Sequence, residues 1–382
     1  MLISYLFFSV CSISAYCYLI IYILQQWNNI KLIDENQKSK LNQSLGMSII
    51  IPARNEANNI VQCLQAILDN HDIDKIAPQV IVIDDHSTDN TFQLANSIDS
   101  PYVKVIRFVI NKADNTSEIN AYKKAAISLG LEHCKNKFIV QLDADTIVPS
   151  DYLKTIVQYQ NHYSAEFLAA PIKFYPCNNL LHHFQQLDTL GMMAVTGAGI
   201  ISNQWHMANG ANMCYNKKHV NYNHKDAASG DDIYTIQKIA HDHPHDIHYI
   251  KDRKAIVTTS PVSTYAELYQ QRIRWATKNK SMTRLSMQVM MGIPFINAIF
   301  ILMHIPMMIF FGEPIILIFL FHIMTKLMID YVYLKELTDH FDAQESMKYF
   351  LPSNVMHIIY IAMIGTLSFF IKKYRWKGRV VH

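Results

Sequence analysis

The sequence predicts an α/β domain built on a mostly parallel β-sheet, with transmembrane helices at both ends of the chain. Between residues 47 and 286, short runs of β-branched residues and leucine alternate with helical patterns. Continuous apolar strands of this kind are typical of parallel sheets that are covered on both faces. Long uncharged segments lie before and after this region. A chain of 382 residues is long enough for one large domain or two smaller ones.

Composition supports a membrane protein and argues against a nucleic-acid partner. Half of the residues are hydrophobic and 17% are charged, whereas soluble domains average about 25% charged residues. The net charge of +3 is too small to indicate nucleic-acid binding. The six cysteines are scattered without a CxxC spacing, which is typical of reduced residues in an intracellular compartment.

The apolar ends predict an N-terminal transmembrane helix at 1–27 and two or three C-terminal ones within 287–382. Residues 1–27 carry no charge, and a span needs about 20 apolar residues. This segment lacks a basic start and a small-residue cleavage site, which favours an uncleaved anchor over a signal peptide. In the C-terminal region, Lys326 and Asp330 are four residues apart and can neutralise each other on one helix face.

The topology has two alternatives. Lysines 31, 38 and 40 follow the first span, which predicts that the central region is cytoplasmic. The basic tail "KKYRWKGR" also favours the cytoplasm, but four full spans would place it outside. Either one C-terminal segment lies in the membrane interface, or the basic tail is an exception to the preference of basic residues for the cytoplasmic side.

The central region, predicted as a domain over 47–286 after a polar linker at 28–46, places polar turns after its strands. The strand of "MSIIIPARNE" precedes the turn Pro52–Glu56, and "QVIVIDDHST" precedes Asp84–Thr88. The third strand is "YVKVIRFVI", and the fourth, "KFIVQLDADT", ends at Asp143–Asp145. Ligands of such sheets bind at the carboxyl ends of the strands. No GxGxxG or P-loop string occurs, so neither dinucleotide motif is supported.

Two acidic pairs follow strands. Asp84 and Asp85 are either ordinary turn residues or acceptors for a base imide or a ribose hydroxyl. Asp143 and Asp145 are also common turn residues. If their segment is extended, their side chains point the same way, and they can hold a divalent cation together with a diphosphate.

Two further strings allow a structural and a functional interpretation. Asp231 and Asp232 open a helical pattern, either as a favourable first turn or with one of them as a general base. Gln271, Arg274 and Trp275 share one helix side. They either anchor an interfacial helix or offer a Trp face to a sugar and an Arg to a diphosphate. The histidines of "HDHPHDIH" favour a solvated loop over a metal site.

In their order, "IIIPARNE", "VIVIDDHSTDNT", "QLDADT", "SGDD" and "QRIRW", flanked by membrane helices, resemble the membrane-bound family 2 glycosyltransferases. The resemblance covers about residues 47–280. This family includes cellulose, chitin and hyaluronan synthases and bacterial glycolipid and polysaccharide glycosyltransferases. The resemblance implies a GT-A fold, a nucleotide-diphospho-sugar donor, usually a UDP-sugar, and inversion by a single displacement. It also implies a bacterial inner-membrane protein with a cytoplasmic catalytic domain.

The resemblance also implies site residues. It assigns the donor nucleotide to the first two turns, at Pro52, Arg54, Asn55, Glu56, Asp84 and Asp85. It assigns the diphosphate and Mg²⁺ or Mn²⁺ to Asp143 and Asp145. Asp232 would be the base, with Asp231 as the second choice. The acceptor end and the donor diphosphate would be served by Gln271, Arg274 and Trp275.

Two departures from the family pattern bear on the function. Relatives carry a Gly-Lys-Lys string where this chain has Tyr122 and Lys123, so the assignment of Lys123 to the donor is weaker. The chain also lacks the many spans of a polymer channel, which favours transfer of one or a few sugars to a lipid or saccharide acceptor. The alternatives are a processive polysaccharide synthase and a non-catalytic scaffold. Expected partners are the donor, the acceptor, membrane lipids, and an export partner or a second copy.

Overall fold

The computed structural model describes residues 2–33, 46–109, 122–220, 231–277, 284–370, 374–376 and 379–381. In chain order the helices are α1 (Leu2–Asn29), α2 (Ile60–Leu68), α3 (Ile73–Ile76), α4 (Thr91–Asn96), α5 (Tyr122–His133), α6 (Tyr152–Tyr163), α7 (Leu180–Ser202), α8 (Asp231–Asp242), α9 (Tyr265–Thr277), α10 (Leu285–Phe311), α11 (Glu313–His340) and α12 (Phe350–Ser368). The strands are β1 (Met47–Ala53), β2 (Gln79–Asp84), β3 (Val103–Arg107), β4 (Phe138–Leu142), β5 (Phe167–Ala169), β6 (Ile172–Phe174), β7 (Asn212–Asn216), β8 (Ile247–Tyr249), β9 (Val257–Thr259), β10 (Tyr374–Trp376) and β11 (Arg379–Val381). Short 3₁₀ helices lie at Lys217–His219, Arg253–Ala255 and Gln344–Tyr349.

The chain forms two compact units. The helical unit comprises 1–29, 176–205 and 261–372, and the sheet unit comprises 30–175, 206–260 and 373–382. These limits differ from the expected division at residue 286, because α7 and α9 are grouped with the apolar helices. Most of the linker predicted at 28–46 lies outside the described residues.

The sheet unit contains a seven-stranded sheet in the order β3-β2-β1-β4-β7-β5-β8. The first four of these strands are parallel, β7 is antiparallel to both β4 and β5, and β8 is parallel to β5. The prediction of a mostly parallel sheet flanked by helices is confirmed. Strands β6 and β9 form a separate parallel pair.

Close packing of α5 on the sheet depends on a glycine. A Cβ atom at Gly130 would lie 2.7 Å from Cδ1 of Ile83 on β2 and 3.2 Å from Cγ2 of Ile50 on β1. Because such distances are below normal carbon contacts, a larger residue would require the Ile83 and Ile50 side chains to move. The glycine thus allows a close approach of α5 to the strands, and this helix carries Lys123 in its first turn.

Within the described residues, four helices of the helical unit are long and apolar enough to cross a membrane. They are Leu2–Asn29, Leu285–Phe311, Glu313–His340 and Gln344–Ser368, with mean hydropathies of 2.0, 2.0, 1.9 and 1.5 over their most apolar windows. Two or three transmembrane helices were expected in the C-terminal region, and three of the four helices lie there. The orientation of these helices stays a prediction.

Lys326 and Asp330 of α11 form a closed polar cluster. Lys326 Nζ donates to Asp330 Oδ2 as expected from their spacing. Tyr16 of α1 donates its hydroxyl to Asp330 Oδ1 at 2.7 Å, and the Asn354 amide of α12 donates to Asp330 Oδ2 at 2.7 Å. Polar contacts of this kind join helices in an apolar environment. This cluster therefore binds α1, α11 and α12 to one another.

Candidate functional site

The turn after β1 is tied to the turn after β2 by a dense set of hydrogen bonds. Arg54 Nη1 donates to the backbone carbonyls of Asp85 and His86 at 2.9 and 3.1 Å. Asn55 Oδ1 accepts from the Thr88 amide at 2.8 Å. Asn55 and His86 both have left-handed backbone angles, with φ of 52° and 54°, which such tight turns require. Arg54, placed at the nucleotide by resemblance, therefore also holds the second turn in shape.

Two buried carboxylates lie at the end of β2. Asp84 and Asp85 are 4% and 2% exposed. Asp85 Oδ1 lies 2.9 Å from His86 Nδ1, whereas Asp84 Oδ1 is buried and has no hydrogen-bond partner among the described residues. An unpaired buried acceptor is costly. A ligand that brings an N–H or O–H donor to this oxygen would remove that cost.

The segment after β4 is a turn, as the polar residues at the end of the strand predicted, so the condition that Asp143 and Asp145 lie in an extended segment is not met. The strand ends at Leu142, and the Asp143 carbonyl accepts from the Thr146 amide at 3.2 Å and from the Thr146 hydroxyl at 2.7 Å. These two bonds fold the chain back directly after the strand. The two carboxylates contact different groups, because Asp145 Oδ2 accepts from the Thr259 hydroxyl of β9 at 2.9 Å.

Lys123 lies between two of the predicted acidic residues. Its Nζ donates to Asp143 Oδ1 at 2.8 Å and lies 3.7 Å from Asp231 Oδ2. Burial would lower the pKa of Lys123, but the charges of Asp143 and Asp231 outweigh it and raise that pKa above its ordinary value. The side chain is therefore a permanent cation that links the end of β4 to the start of α8.

Asp231 and Asp232 form the first turn of α8 and are both buried. Asp231 Oδ2 accepts from Gln141 Nε2 at 2.7 Å. Asp232 Oδ1 accepts from the Ile233 amide at 2.8 Å. The structure thus gathers Asp143, Lys123 and Asp231 in one cluster, with Asp232 as the next residue along the helix. The preceding Ser-Gly of the "SGDD" string lies outside the described residues.

The carboxylates after β4 fit a hard divalent cation. Asp143 has a 34% exposed side chain, so ligands can reach its oxygens. Carboxylate oxygens are the donors that Mg²⁺ and Mn²⁺ prefer. Among the described residues no group of three or more histidine, cysteine or acidic side chains could hold a metal. Asp143 and Asp145 would therefore need water or ligand oxygens to complete such a site.

The histidine-rich segment at the end of α8 makes local contacts between histidines and acids. His241 Nδ1 lies 2.7 Å from Asp242 Oδ1, and His243 Nδ1 lies 3.3 Å from Asp246 Oδ2. The first pair is exposed on both sides. His241 lies within α8 and His248 lies in β8, so the predicted loop is limited to residues 243–246.

The residues Gln271, Arg274 and Trp275 lie on α9 in the helical unit, whereas the carboxylates belong to the sheet unit. The guanidinium of Arg272, between them in sequence, lies 4.2 Å from the centre of the Trp275 ring. Its Nη2 is 2.8 Å from Asp188 Oδ2 of α7, and the two side chains are 1% and 8% exposed. One face of Trp275 is thus covered by a buried ion pair, and this pair fixes α9 against α7.

Sequence reasoning missed several polar residues of these clusters. Gln141 and Thr259 each contact one predicted carboxylate, and Asp188 pairs with Arg272. Gln141 had a visible signal, because it is a polar residue inside the apolar run "FIVQL". Asp188 and Thr259 had none, since only the folded chain brings them to their partners.

Two family descriptions match this chain. Residues 48–222 match Glycosyl transferase family 2. Residues 138–371 match Glycosyl transferase family group 2, a stretch that covers more than half of the chain and includes both the carboxylates and three of the apolar helices.

Similar proteins include bacterial glycosyltransferases. The undecaprenyl-phosphate 4-deoxy-4-formamido-L-arabinose transferase of Pseudomonas fluorescens is 31% identical over 120 residues, which cover 29% of this chain and 31% of that protein. The 4,4'-diaponeurosporenoate glycosyltransferase of Staphylococcus aureus is 34% identical over 116 residues, which cover 30% of this chain and 28% of that protein. The match thus spans about a third of each relative.

A solved structure shares the fold. The mannosyltransferase of Pyrobaculum calidifontis in complex with GDP-Man and Mn²⁺ aligns with a TM-score of 0.50 at 14% identity. The alignment covers 95% of this chain and 99% of the other. This similarity supports the GT-A fold of the sheet unit and its flanking helices.

The Asp188–Arg272 pair gives a stability prediction. Replacing Asp188 by Ala leaves a buried guanidinium without a counter-charge, which costs about 3–5 kcal/mol. We expect a clear fall in the thermal unfolding midpoint of the detergent-purified protein. The exposed pair Lys335–Asp339 of the same unit provides the control, because Asp339→Ala should cost at most about 1 kcal/mol. Equal midpoints for the two variants would contradict the structural role of the buried pair.

Proposed function

Because the chain belongs to the family 2 glycosyltransferases and is a glycosyltransferase, we propose that it moves a sugar from a UDP-sugar to an acceptor hydroxyl at the membrane. The acceptor is a lipid-linked molecule or a saccharide. The proposal also includes inversion at the sugar by direct displacement. The observation that carries it is the cluster of Asp143, Lys123 and Asp231 at the carboxyl edge of the sheet.

The donor end of the site is assigned to the turns after β1, β2 and β4. Asp84 Oδ1, which is buried without a partner in the described part of the chain, would accept from the uracil imide or a ribose hydroxyl. Arg54 and Asn55 hold this turn in place. Glu56 lies in the turn after β1, whereas Pro52, which was expected in that turn, lies within β1 and is assigned to the donor by resemblance. Asp85 is held by its neighbour His86. The cation Lys123 would offset the negative charge of the diphosphate beside Asp143.

Asp143 and Asp145 are the residues that would hold Mg²⁺ or Mn²⁺. When bound, such an ion supplies Lewis-acid stabilisation of the negative charge on a leaving diphosphate. Asp143 would have to share its carboxylate between the cation and Lys123, whereas Asp145 is oriented by the hydroxyl of Thr259. The carboxylate oxygens that the two residues bring to one turn support this assignment.

Asp232 is the proposed general base. Asp231, the second choice for that role, is proposed to be a carboxylate that supports the structure of the site. Asp231 Oδ2 accepts from Gln141 Nε2 and lies 3.7 Å from Lys123 Nζ, so this oxygen is already engaged in contacts with the protein. In the proposed step the acceptor oxygen attacks the anomeric carbon and gives its proton to Asp232. The bond to the diphosphate oxygen breaks, and its electron pair leaves with the diphosphate.

The acceptor assignment rests on similarity and on the apolar helices. The names of two relatives contain undecaprenyl phosphate and 4,4'-diaponeurosporenoate, each of which joins a long hydrocarbon chain to an anionic group. Four helices suited to a membrane support an acceptor delivered from the bilayer. Gln271, Arg274 and Trp275 are proposed to serve the acceptor end and the diphosphate. A location in a bacterial inner membrane with the sheet unit in the cytoplasm completes the proposal, and an export partner or second copy belongs to its processive alternative.

The first test is sugar transfer by the purified protein in lipid vesicles. We expect transfer from one radiolabelled UDP-sugar of a panel that also contains GDP-mannose, with the label in a lipid-extractable product. EDTA should abolish transfer and Mn²⁺ or Mg²⁺ should restore it, because the diphosphate needs a counter-cation to leave. Asp145→Asn serves as the control for a damaged cation site.

The outcomes of this assay separate the alternatives. A long insoluble product would support a processive synthase, and transfer from GDP-mannose alone would contradict the UDP assignment. Full activity in EDTA would contradict the cation. Absence of transfer from every donor would leave only the scaffold alternative.

The second test concerns the base. We expect Asp232→Asn to lower kcat by about 10²–10⁴-fold, the usual contribution of general-base catalysis. UDP affinity, measured by calorimetry in Mn²⁺, should change by less than about twofold, because the base does not bind the nucleotide. Asp231→Asn is the matched comparison and should lower kcat less. A larger loss for Asp231→Asn than for Asp232→Asn would reverse the assignment of the base.

A further inference from the structure

A polar chain inside the sheet unit ends at the acidic start of α8. Gln141 is fully buried in β4, with an exposure of 0%, and its two neighbours in the strand are apolar. Its Nε2 donates to Asp231 Oδ2 at 2.7 Å and lies 3.4 Å from the Gly210 carbonyl. Its Oε1 accepts from the Tyr215 hydroxyl at 3.1 Å. All polar atoms of this amide therefore have partners.

The chemistry of the three side chains fixes which of them donates each hydrogen bond. A carboxylate can only accept, so the amide must turn its Nε2 toward Asp231 and its Oε1 away. The Tyr215 hydroxyl must then donate to that oxygen. Burial, followed by the charge of Asp231, raises the pKa of Tyr215, so its proton stays in place to make the bond.

The β-sheet register places these side chains together. Strand β7 is antiparallel to β4, and Tyr215 lies opposite Ile139 while Met213 lies opposite Gln141. Because Ile139 and Gln141 are two residues apart, their side chains lie on one face, and Tyr215 reaches Gln141 diagonally. Both anchors are thus on central strands, whereas Asp231 begins a helix.

We propose that Gln141 is a positioning residue of the transfer reaction, which with Tyr215 fixes Asp231 and thereby the end of α8 that carries Asp232. This inference rests on the proposed function. The bond ties the first residue of the helix to β4, the strand that Asp143 follows, so the base and the donor-binding turn share one rigid support. Lys123 adds a contact between charges here but no hydrogen bond, because its Nζ lies 3.7 Å from Asp231 Oδ2.

The experiment replaces one side-chain amide near the carboxyl ends of the strands and another near their amino ends. Gln141→Met keeps the size of the side chain and removes both of its strong hydrogen bonds. Gln79→Met is the matched control, because Gln79 opens β2 and its amide contacts Ser48, Lys135 and the His133 carbonyl at the amino ends of the strands. Tyr215→Phe removes only the hydroxyl that donates to Gln141 Oε1.

We expect Gln141→Met to lower kcat by about 10–100-fold, since a small misplacement of a catalytic group has effects of this size. The KM for the donor and the affinity for UDP in Mn²⁺ should stay within about twofold of the wild type, as for a loss confined to the transition state. Tyr215→Phe should lower kcat in the same direction by less. Gln79→Met should lose stability but keep kcat. Wild-type kcat in Gln141→Met, or an equal loss in Gln79→Met, would overturn the proposal.

Hydrogen exchange provides a readout that does not need activity. Peptides that cover α8 should exchange faster in Gln141→Met than in the wild type or in Gln79→Met, because the helix start has lost its anchor. If the wild type transfers no sugar at all, the proposed function fails, and this exchange result alone decides whether Gln141 holds the helix. Unchanged exchange in α8 would refute the positioning role.

Discussion

The balance of charge at the carboxyl edge of the sheet is the constraint on which the rest of this site depends. Asp84 ends β2 and Asp143 follows β4, two strands that run in the same direction. Asp231, at the start of α8, lies on the same lysine, Lys123, as Asp143. Carboxylates placed so close would repel one another. Lys123 offsets part of this repulsion by contact with Asp143 and Asp231. The site thus holds a fixed cation before any ligand arrives.

Packing makes this charge balance possible. Gly130 allows α5 to lie close to β1 and β2, and this helix carries Lys123 in its first turn. On the other side of β4, the amide of Gln141 provides the hydrogen bond that holds Asp231. A buried charge is tolerated only when such partners surround it. The strands, the close packing of α5 on them and the charges are therefore parts of one arrangement. In the proposed function, the contacts of Asp231 with Gln141 and Lys123 position the adjacent Asp232.

Much of this fold was predictable from local patterns. The apolar runs that became β1, β2 and β4 are continuous and end in polar turns, so both the strands and the edge that carries the carboxylates follow from the sequence. The uncharged ends likewise predicted the long apolar helices.

The parts that could not be predicted depend on distant contacts. The antiparallel β7, the bond from Thr259 to Asp145 and the pair of Asp188 with Arg272 join residues far apart in sequence. The turn at Asp143 was predicted, but the bonds from the Thr146 hydroxyl and amide to the Asp143 carbonyl, which close it, were not. The role of QRIRW could not be read from its spacing either, since Arg272 turned out to cover the Trp275 ring.

The most direct measurement of the charge balance is the affinity of the purified protein for Mn²⁺, followed by the EPR signal of the free ion. We expect Lys123→Met to bind Mn²⁺ about tenfold more tightly than the wild type without nucleotide, because the competing ammonium beside Asp143 is gone. Adding Asp143→Asn to that variant should remove the gain. Equal Mn²⁺ affinity in Lys123→Met and the wild type would contradict the claim that Lys123 and a divalent cation balance the same carboxylate.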